Sequence, residues 1–481
     1  MVNLGSSNTP VEGESFGLPA GAELTEDADG NLAIADSSGS IVLVRDETTG
    51  EWRFENTDVT GINAIDASSA NVESLSTERA HFKKDPWHDI RSYGAEGDGT
   101  ADNSEALQDA IDDADATGFP VYIPEGDFYF SEQLDLDGLS NVSIVGAGKD
   151  AILRQDDQTH NILPFTNCEW IKLRNFTLIG NGDTTEKQQA VKFEEGNKNC
   201  VVQNCKLVEF GGDAIVWNRD NDNIWALFNY IEDTHDDGIN PGGSTGDVTR
   251  STESFIIGNR IRDIKDTGIH VSANSKRTVV AGNIIDDCDT GIDFFRSSTS
   301  IVVNNTIRNC GLGIETAGDG GNTPLEFVNI TNNTILDSGF IGIQIEHGQY
   351  INISNNIIRG SEHTAIDIRN NGEENNQHTV TDNLIGDAGT YGIALRDENT
   401  HSVCQGNRLI GSYGERAIWV NAEGSVVREN IAHNAAIGRE EDETNTVVMD
   451  NVADFIDSGW DDSSEVRHNV IDGEFVESGV S

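Results

Sequence analysis

From about residue 175 the chain repeats one pattern of apolar and polar positions: an Asn, a β-branched pair, a turn, then Gly-Ile or Ala-Ile followed by alternating residues. NRIRDIKDTGIHV, NIIDDCDTGIDF and NTIRNCGLGIET are three successive copies. The leading residues are Asn204, Asn229, Asn259, Asn283, Asn305, Asn333, Asn356, Asn383, Asn407 and Asn430, spaced 22 to 30 residues apart and about 25 on average. Short runs of Ile, Val and Thr bounded by Asn, Gly and Asp are strands separated by turns, and they are poor helix formers. The period is too short for helical-pair repeats, and the L-x-x-L-x-L phrase of leucine-rich repeats is absent. A coil of this length with two or three short strands fits a parallel β-solenoid whose coils stack at roughly 4.8 Å. The Ile after each Gly then points inward as an aliphatic stack. The recurring Asn is expected to form a ladder at an inner turn, where its amide satisfies backbone groups that the strands leave unpaired.

The first part of the chain reads differently. LAIAD, IVLVRD and EWRFEN are short alternating runs separated by Gly-containing turns, which predicts a small antiparallel β domain over residues 1–58. Residues 59–86 carry Val59, Ile62, Ile65, Val72 and Leu75 without a single period. A lone chain cannot bury that stripe, so a neck that intertwines or docks in an oligomer, a homotrimer, is expected, the alternative being a linker lying along the solenoid. The solenoid is expected over 87–440, with terminal coils and a cap over 441–481.

Composition narrows the partners. Lys and Arg total 31 against 83 Asp and Glu, a formal net charge of −52, and the cations divide into ten Lys and 21 Arg. Self-repulsion of this size is relieved by the screening of molar salt. The composition resembles that of proteins from extreme halophiles. Nucleic acid is excluded as a partner by the absence of a basic patch. No apolar run is long enough to span a membrane, and the N-terminus MVNLGSSNTPVEGESFG lacks the charged and apolar regions of a secretory signal. The six cysteines lack disulfide-framework or zinc spacing and read as small buried thiols, with Cys288 and Cys310 both three residues before a Gly-Ile glycine. The acidic clusters suit Ca²⁺, Mg²⁺ or Na⁺, and no ligand spacing distinguishes these.

Residues 89–130, DIRSYGAEGDGTADNSEALQDAIDDADATGFPVYIPEGDFYF, carry the most specific signal. The stretch closely resembles the opening of the pectate-lyase-like right-handed parallel β-helix superfamily, in which a short strand leads to Gly-Ala-x-Gly-Asp-Gly, here Gly94 to Gly99. The resemblance implies an all-β, right-handed parallel β-helix closed at its open end by a small helix, here about Asn103–Ala116. Local physics agrees: Asp102 or Asn103 can cap that helix, and Ala106, Leu107, Ala110, Ile111 and Ala114 share one face. The superfamily includes hydrolases, lyases, epimerases, virus tailspikes and inert structural proteins, so fold alone does not fix chemistry.

Aligning the copies on Gly-Ile places Asp213 and Asp237 in one column on successive coils, with Asp236 beside them. This resembles the acid arrangement of family 28 polygalacturonase-like hydrolases. The resemblance implies that one carboxyl is a raised-pKa proton donor while another acts as general base on water. The chain departs from that family on the next coil, where Gly-His-Gly is replaced by Asp266-Thr267-Gly268 with His270 beyond. It departs again where Arg-x-Lys is expected and only Arg296 is present. The catalytic candidates are therefore Asp213, Asp236, Asp237 and His270, and the missing elements count against uronate hydrolysis. A second candidate set lies one and three residues after each Ile, where alternation turns side chains outward. Asp293, Phe295, Arg296, Glu315, Gln344, Glu346, Asp367 and Arg369 are expected to contact sugar hydroxyls, with Tyr391 and Trp419 nearby. The expectation is a virion spike or fibre of a haloarchaeal virus that binds host surface glycans or glycoprotein and attaches to other virion proteins through its N-terminal region. The rivals are a polysaccharide-cleaving enzyme and an inert solenoid.

Overall fold

The computed structural model describes residues 87–478 apart from loop segments, the longest being 243–250, 318–324, 440–445 and 457–464, together with four strands between residues 23 and 53. The chain divides into two compact units, Met1–Lys83 and Lys84–Ser481. In the first, strands Glu23–Glu26, Leu32–Ala35, Ile41–Arg45 and Trp52–Arg53 pair in order as an antiparallel sheet. The last three coincide with the alternating runs, while the first, ELTE, has too little apolar content to announce itself. The expected neck at 59–86 lies outside the described residues.

The second unit is a parallel β-solenoid. Each coil contributes three strands, as in Val191–Glu195, Lys198–Gln203 and Lys206–Phe210. These pair in register with Ile215–Arg219, Asp222–Leu227 and Tyr230–Thr234 of the next coil, defining a first, second and third sheet. Because side chains alternate, one residue in two faces the interior. In the first sheet an isoleucine stack runs in register from Ile215 through Ile269, Ile292 and Ile343 to Ile456, each at most 1% exposed. The second sheet repeats this with Val202, Ile256, Val280, Val302 and Ile330. Each such side chain contributes about 1.5–3 kcal/mol by leaving water. The glycine ahead of each Ile is set by close approach. A Cβ at Gly268 would lie 2.7 Å from the Gly291 carbonyl oxygen on the next coil.

The expected asparagine ladder occupies the corner between second and third sheets and runs from Asn229 to Asn469. At Asn259 the backbone N–H and one Nδ2–H both donate to Asn283 Oδ1, at 2.9 and 3.0 Å. The other Nδ2–H donates to the Ala226 carbonyl at 2.9 Å, so every amide atom is used. Asn204 is a correction to the expectation. Cys205 holds its ladder position, donating its N–H to Asn229 Oδ1 at 3.0 Å, whereas Asn204 sits at the turn with φ +53°. The residue before each ladder position adopts this left-handed conformation, as Phe228, Gly258, Gly282, Asn304 and Asn332 do. Asn and Gly tolerate that geometry best, hence the Asn-Asn and Gly-Asn pairs.

The cap is the helix Ser104–Thr117, with the five predicted apolar residues buried against the first coil. Its N-cap residue Asn103 makes no side-chain capping bond. Asp102 does this instead, accepting from the Ser104 N–H at 3.0 Å. Asn103 is buried and ties the Gly-rich loop, accepting from the Glu96 N–H and donating to the Tyr129 carbonyl. At the other end, Glu474–Ser478 pairs antiparallel with Glu465–Ile471, which terminates the parallel stack. All six cysteines are buried and unpaired, and Cys288 and Cys310 stack on neighbouring coils, where Gly311 N–H donates to the Cys288 carbonyl. No helix among the described residues is long and apolar enough to cross a membrane.

Candidate functional site

The corner entering the first sheet holds the column Gln189, Asp213, Asp237 and Thr267, two residues before successive inward residues of the stack. The carboxylates link the coils directly. Asp213 Oδ1 accepts the Asp237 N–H at 3.1 Å, and Asp237 Oδ1 accepts the Thr267 N–H at 3.2 Å. Asp237 Oδ2 meets His270 Nδ1 at 2.9 Å and accepts from Asn240 Nδ2 at 2.9 Å. His270 Nε2 lies 3.3 Å from Asp293 Oδ2 on the following coil. Asp236 stands beside the column in an ion pair with Lys187, Nζ to Oδ2 2.7 Å. The structure thus brings together all four catalytic candidates and adds Asp293, which the sequence assigned to the sugar-contacting ladder.

Burial and like charge set the proton affinities here. Burial, then the Asp237 and Asp236 charges, push the Asp213 carboxyl well above the usual carboxylate range. For His270, burial lowers the pKa, but the hydrogen bond to Asp237 and the charges of Asp237 and Asp293 prevail, raising it to about 9. Burial raises Asp293 to about 7, with His270 pulling against it and Glu315 and Asp237 adding to it. At neutral pH the imidazolium is therefore charged and clamped between Asp237 and Asp293, beside an Asp213 carboxyl whose proton affinity burial and like charge raise. Asp213, Asp236 and Asp237 can each place an oxygen within 4.8 Å of the others. A cation there would compete with the Lys187 ammonium and the imidazolium for the same oxygens.

Further along the first sheet the outward column runs in register through His270, Asp293, Glu315, Gln344, Asp367, Ala394 and Trp419. Its middle is closed over, which corrects the expectation of an open ladder. Gln344 is 3% exposed and Asp367 is 0% exposed. Gln344 Nε2 donates to Glu315 at 2.7 Å and to Glu346 at 2.9 Å. Arg369 donates to Gln344 Oε1 and pairs with Glu346 at 3.4 Å, and Arg396 Nε lies 2.5 Å from Asp367 Oδ1. Arg396 also stacks over Trp419 and Tyr391, whose rings lie 5.0 Å apart. Of the candidate set, the groups left partly open are Asp293, Phe295, Arg296, Glu315, Glu346 and Arg369. Arg296 covers the Phe295 ring, at 5.3 Å from its centroid.

Lys187 and Gln189, whose Nε2 reaches Asp213 Oδ2 at 3.4 Å, were missed from sequence. The signal was Ala190-Val191, an earlier copy of the Ala-Ile step that pairs in register with Ile215.

Comparisons with known proteins agree with this architecture. A family model described as rhamnogalacturonase A/epimerase, pectate lyase-like, matches residues 87–315, and one described as right handed beta helix region matches residues 313–474. The preneck appendage protein of Bacillus phage PZA is 38% identical over 100 residues, which are 19% of this chain and 11% of that protein. Among solved structures, the pre-mature bacteriophage phi29 gene product 12 superposes with a TM-score of 0.57 at 17% identity, covering 82% of this chain and 58% of that one. A tailspike protein mutant of E. coli bacteriophage HK620, in complex with pentasaccharide, superposes with a TM-score of 0.56 at 13% identity, covering 81% of this chain and 79% of that one.

Proposed function

We propose, from the premise that the chain belongs to the pectate-lyase-like right-handed β-helix superfamily, that it is a tailspike-like virion appendage that binds host-surface glycan. The observation that carries this reading is the first sheet's outer face, where partly open Phe295, Glu315, Glu346 and Arg369 stand on a rigid network on successive coils. Such a face offers hydroxyl acceptors, guanidinium donors and a ring at the coil spacing, which suits a linear glycan lying along the solenoid axis. The local identity to a phage preneck appendage supports a virion location, and the net charge of −52 supports a haloarchaeal virus as its source. The test is binding of the full chain to haloarchaeal envelope polysaccharide in molar salt. Phe295→Ala and Glu346→Ala are expected to weaken binding at least tenfold without releasing fragments. Unchanged affinity in both would overturn this face as the site.

The acidic cluster favours one alternative, glycan cleavage. Asp213, its carboxyl held well above the usual range beside Asp237, is the donor candidate and Asp237 the acceptor candidate for such chemistry. Against it, both residues are nearly enclosed and their oxygens hold backbone N–H groups of the next coil, which is a structural task. Reducing ends released by the native chain and abolished in Asp213→Asn would establish cleavage in place of simple binding.

A further inference from the structure

The Gly-Ile repeat places Cys288 and Cys310 alike, each three residues ahead of its glycine. Each follows a residue in the left-handed conformation, Asp287 at φ +57° and Asn309 at φ +53°, so both stand at one point of the corner that enters the first sheet. Their coils are in register on either side. Asp286 pairs with Arg308 and Thr290 with Leu312, the same step of 22 residues, and the Gly311 N–H donates to the Cys288 carbonyl at 3.2 Å. The two thiols therefore occupy one column on neighbouring coils, each within hydrogen-bond reach of the other and both buried. Among the described residues no other two cysteines are placed this way. Cys200 pairs with Ile224 and Cys404 with Val380 and Val427, while the N–H groups of Cys168 and Cys205 donate to Asn197 and Asn229.

We propose that Cys288 and Cys310 are an oxidative modification site, at which a peroxide-class oxidant closes a disulfide that braces the coil carrying Asp293, Phe295 and Arg296. A coil spacing of about 4.8 Å puts paired Cα atoms inside the roughly 4.4–6.8 Å that a disulfide spans. No third sulfur competes, because the column continues to Ile264 on one side and Ser338 on the other. The chemistry balances. One thiol takes an oxygen atom from the peroxide, which leaves as water, and becomes a sulfenic acid. The other sulfur attacks it, the S–S bond forms, the S–O bond breaks and a second water leaves. Two thiols give up two electrons and one peroxide is reduced. All six cysteines are unpaired in the structure, so this bond adds a covalent tie between coils otherwise held by hydrogen bonds and packing. A chain folded in a reducing cytoplasm and then released carries the thiols first and the bond later. That timing rests on the virion reading, whereas the bond itself does not.

The test treats the reduced, folded full chain with hydrogen peroxide in molar salt, then counts free thiols in denaturant and maps peptides by mass. The six thiols are expected to fall to four, with one linked peptide pair joining Cys288 to Cys310. Cys288→Ser is expected to keep five thiols before and after treatment, and Cys200→Ser to fall from five to three. Amide exchange across residues 288–310 is expected to slow at least tenfold on oxidation. Six thiols after treatment, sulfinic acid in place of a link, or a link to any other cysteine overturns the proposal. A bond that forms without slowing exchange overturns the bracing. The peptide map of the native chain needs no variant, so a misfolded Cys288→Ser leaves the test intact. Glycan binding enters none of these readouts, so failure of the glycan reading and failure of the cross-link are told apart.

Discussion

The first and second sheets have the same inner side and opposite outer sides. Inward, both present a buried apolar stack, all Ile from Ile215 to Ile456 in the first and mostly Ile and Val in the second, with Ala226 and Cys404 among them. Outward, the first carries Asp293, Glu315, Glu346 and Asp367 along one strip, whereas the two outward columns of the second from Ser143 to Val447 and Val145 to Met449 carry none, its acids Asp222 and Glu253 standing at the strand starts. Parallel in-register pairing and coil spacing are common to both, so the solenoid does not dictate the difference. The inner half of each strand answers to packing, and the outer half answers to what the face meets. The comparison therefore separates folding residues from contact residues within single strands.

The largest effect tests the shared interior. Ile292→Ala in the first sheet and Ile256→Ala in the second each remove a fully buried side chain between two coils. Each is expected to cost about 2–5 kcal/mol, and the two costs should agree within about 1 kcal/mol. Denaturant melts of both variants measure this. A large asymmetry would show that one sheet dominates the core, and outer chemistry could then no longer be compared at equal packing.

A smaller effect, of pH, belongs to the first sheet above neutral pH. His270 titrates at about 9 in the fold, above its usual value near 6.5, so the stability it lends is complete below about 6.5 and is lost as pH rises through about 9. Asp293 has the opposite role with the same slope. Its folded value of about 7 lies above the unfolded value near 3.9, so its ionisation adds a cost that is absent below about 3.9 and complete above about 7. Stability is expected to fall from pH 7 to pH 9, whereas below about 6.5 buried His378, lowered to about 3, acts in the opposite sense. His270→Gln should remove the limb above pH 7 and cost about 2 kcal/mol at pH 6, the worth of a hydrogen bond to a charged group. Thermal melts at pH 6 and pH 9 read both. Parallel profiles for native and variant protein would place the pH response elsewhere.

Much of this fold was legible because its period is written twice, in Gly-Ile and in Asn. The error at Asn204 has a physical source. The left-handed turn and the amide ladder each select Asn, at adjacent positions, and in that coil the ladder member is a thiol, Cys205. The pairing of Asp213 with Asp237 followed from register alone. The closure over Asp367 and Gln344 did not, because alternation states which side of a sheet a residue faces, not whether Arg369 or Arg396 folds across it from a later coil. Lys187 stands in a connecting segment where no period operates. The carboxylate-free columns follow from the sequence once the second sheet's register is known, but a repeat anchored on Gly-Ile leaves that register unset.

The smallest expected effect decides why the second sheet's two outward columns lack acids. Two causes give the same sequence: the fold itself rejects carboxylates there, or a partner surface does. Thr331 and Thr381 are outward and partly exposed, with polar side chains already in place. A glutamate at either site reaches water in a single chain, and the surrounding charge is screened in molar salt. Thr331→Glu and Thr381→Glu should therefore change the melting free energy by no more than about 0.5 kcal/mol. Denaturant melts of both variants measure this. A loss of several kcal/mol in the isolated chain would assign the missing carboxylates to the fold, and the two sheets would then differ in what they tolerate rather than in what they touch.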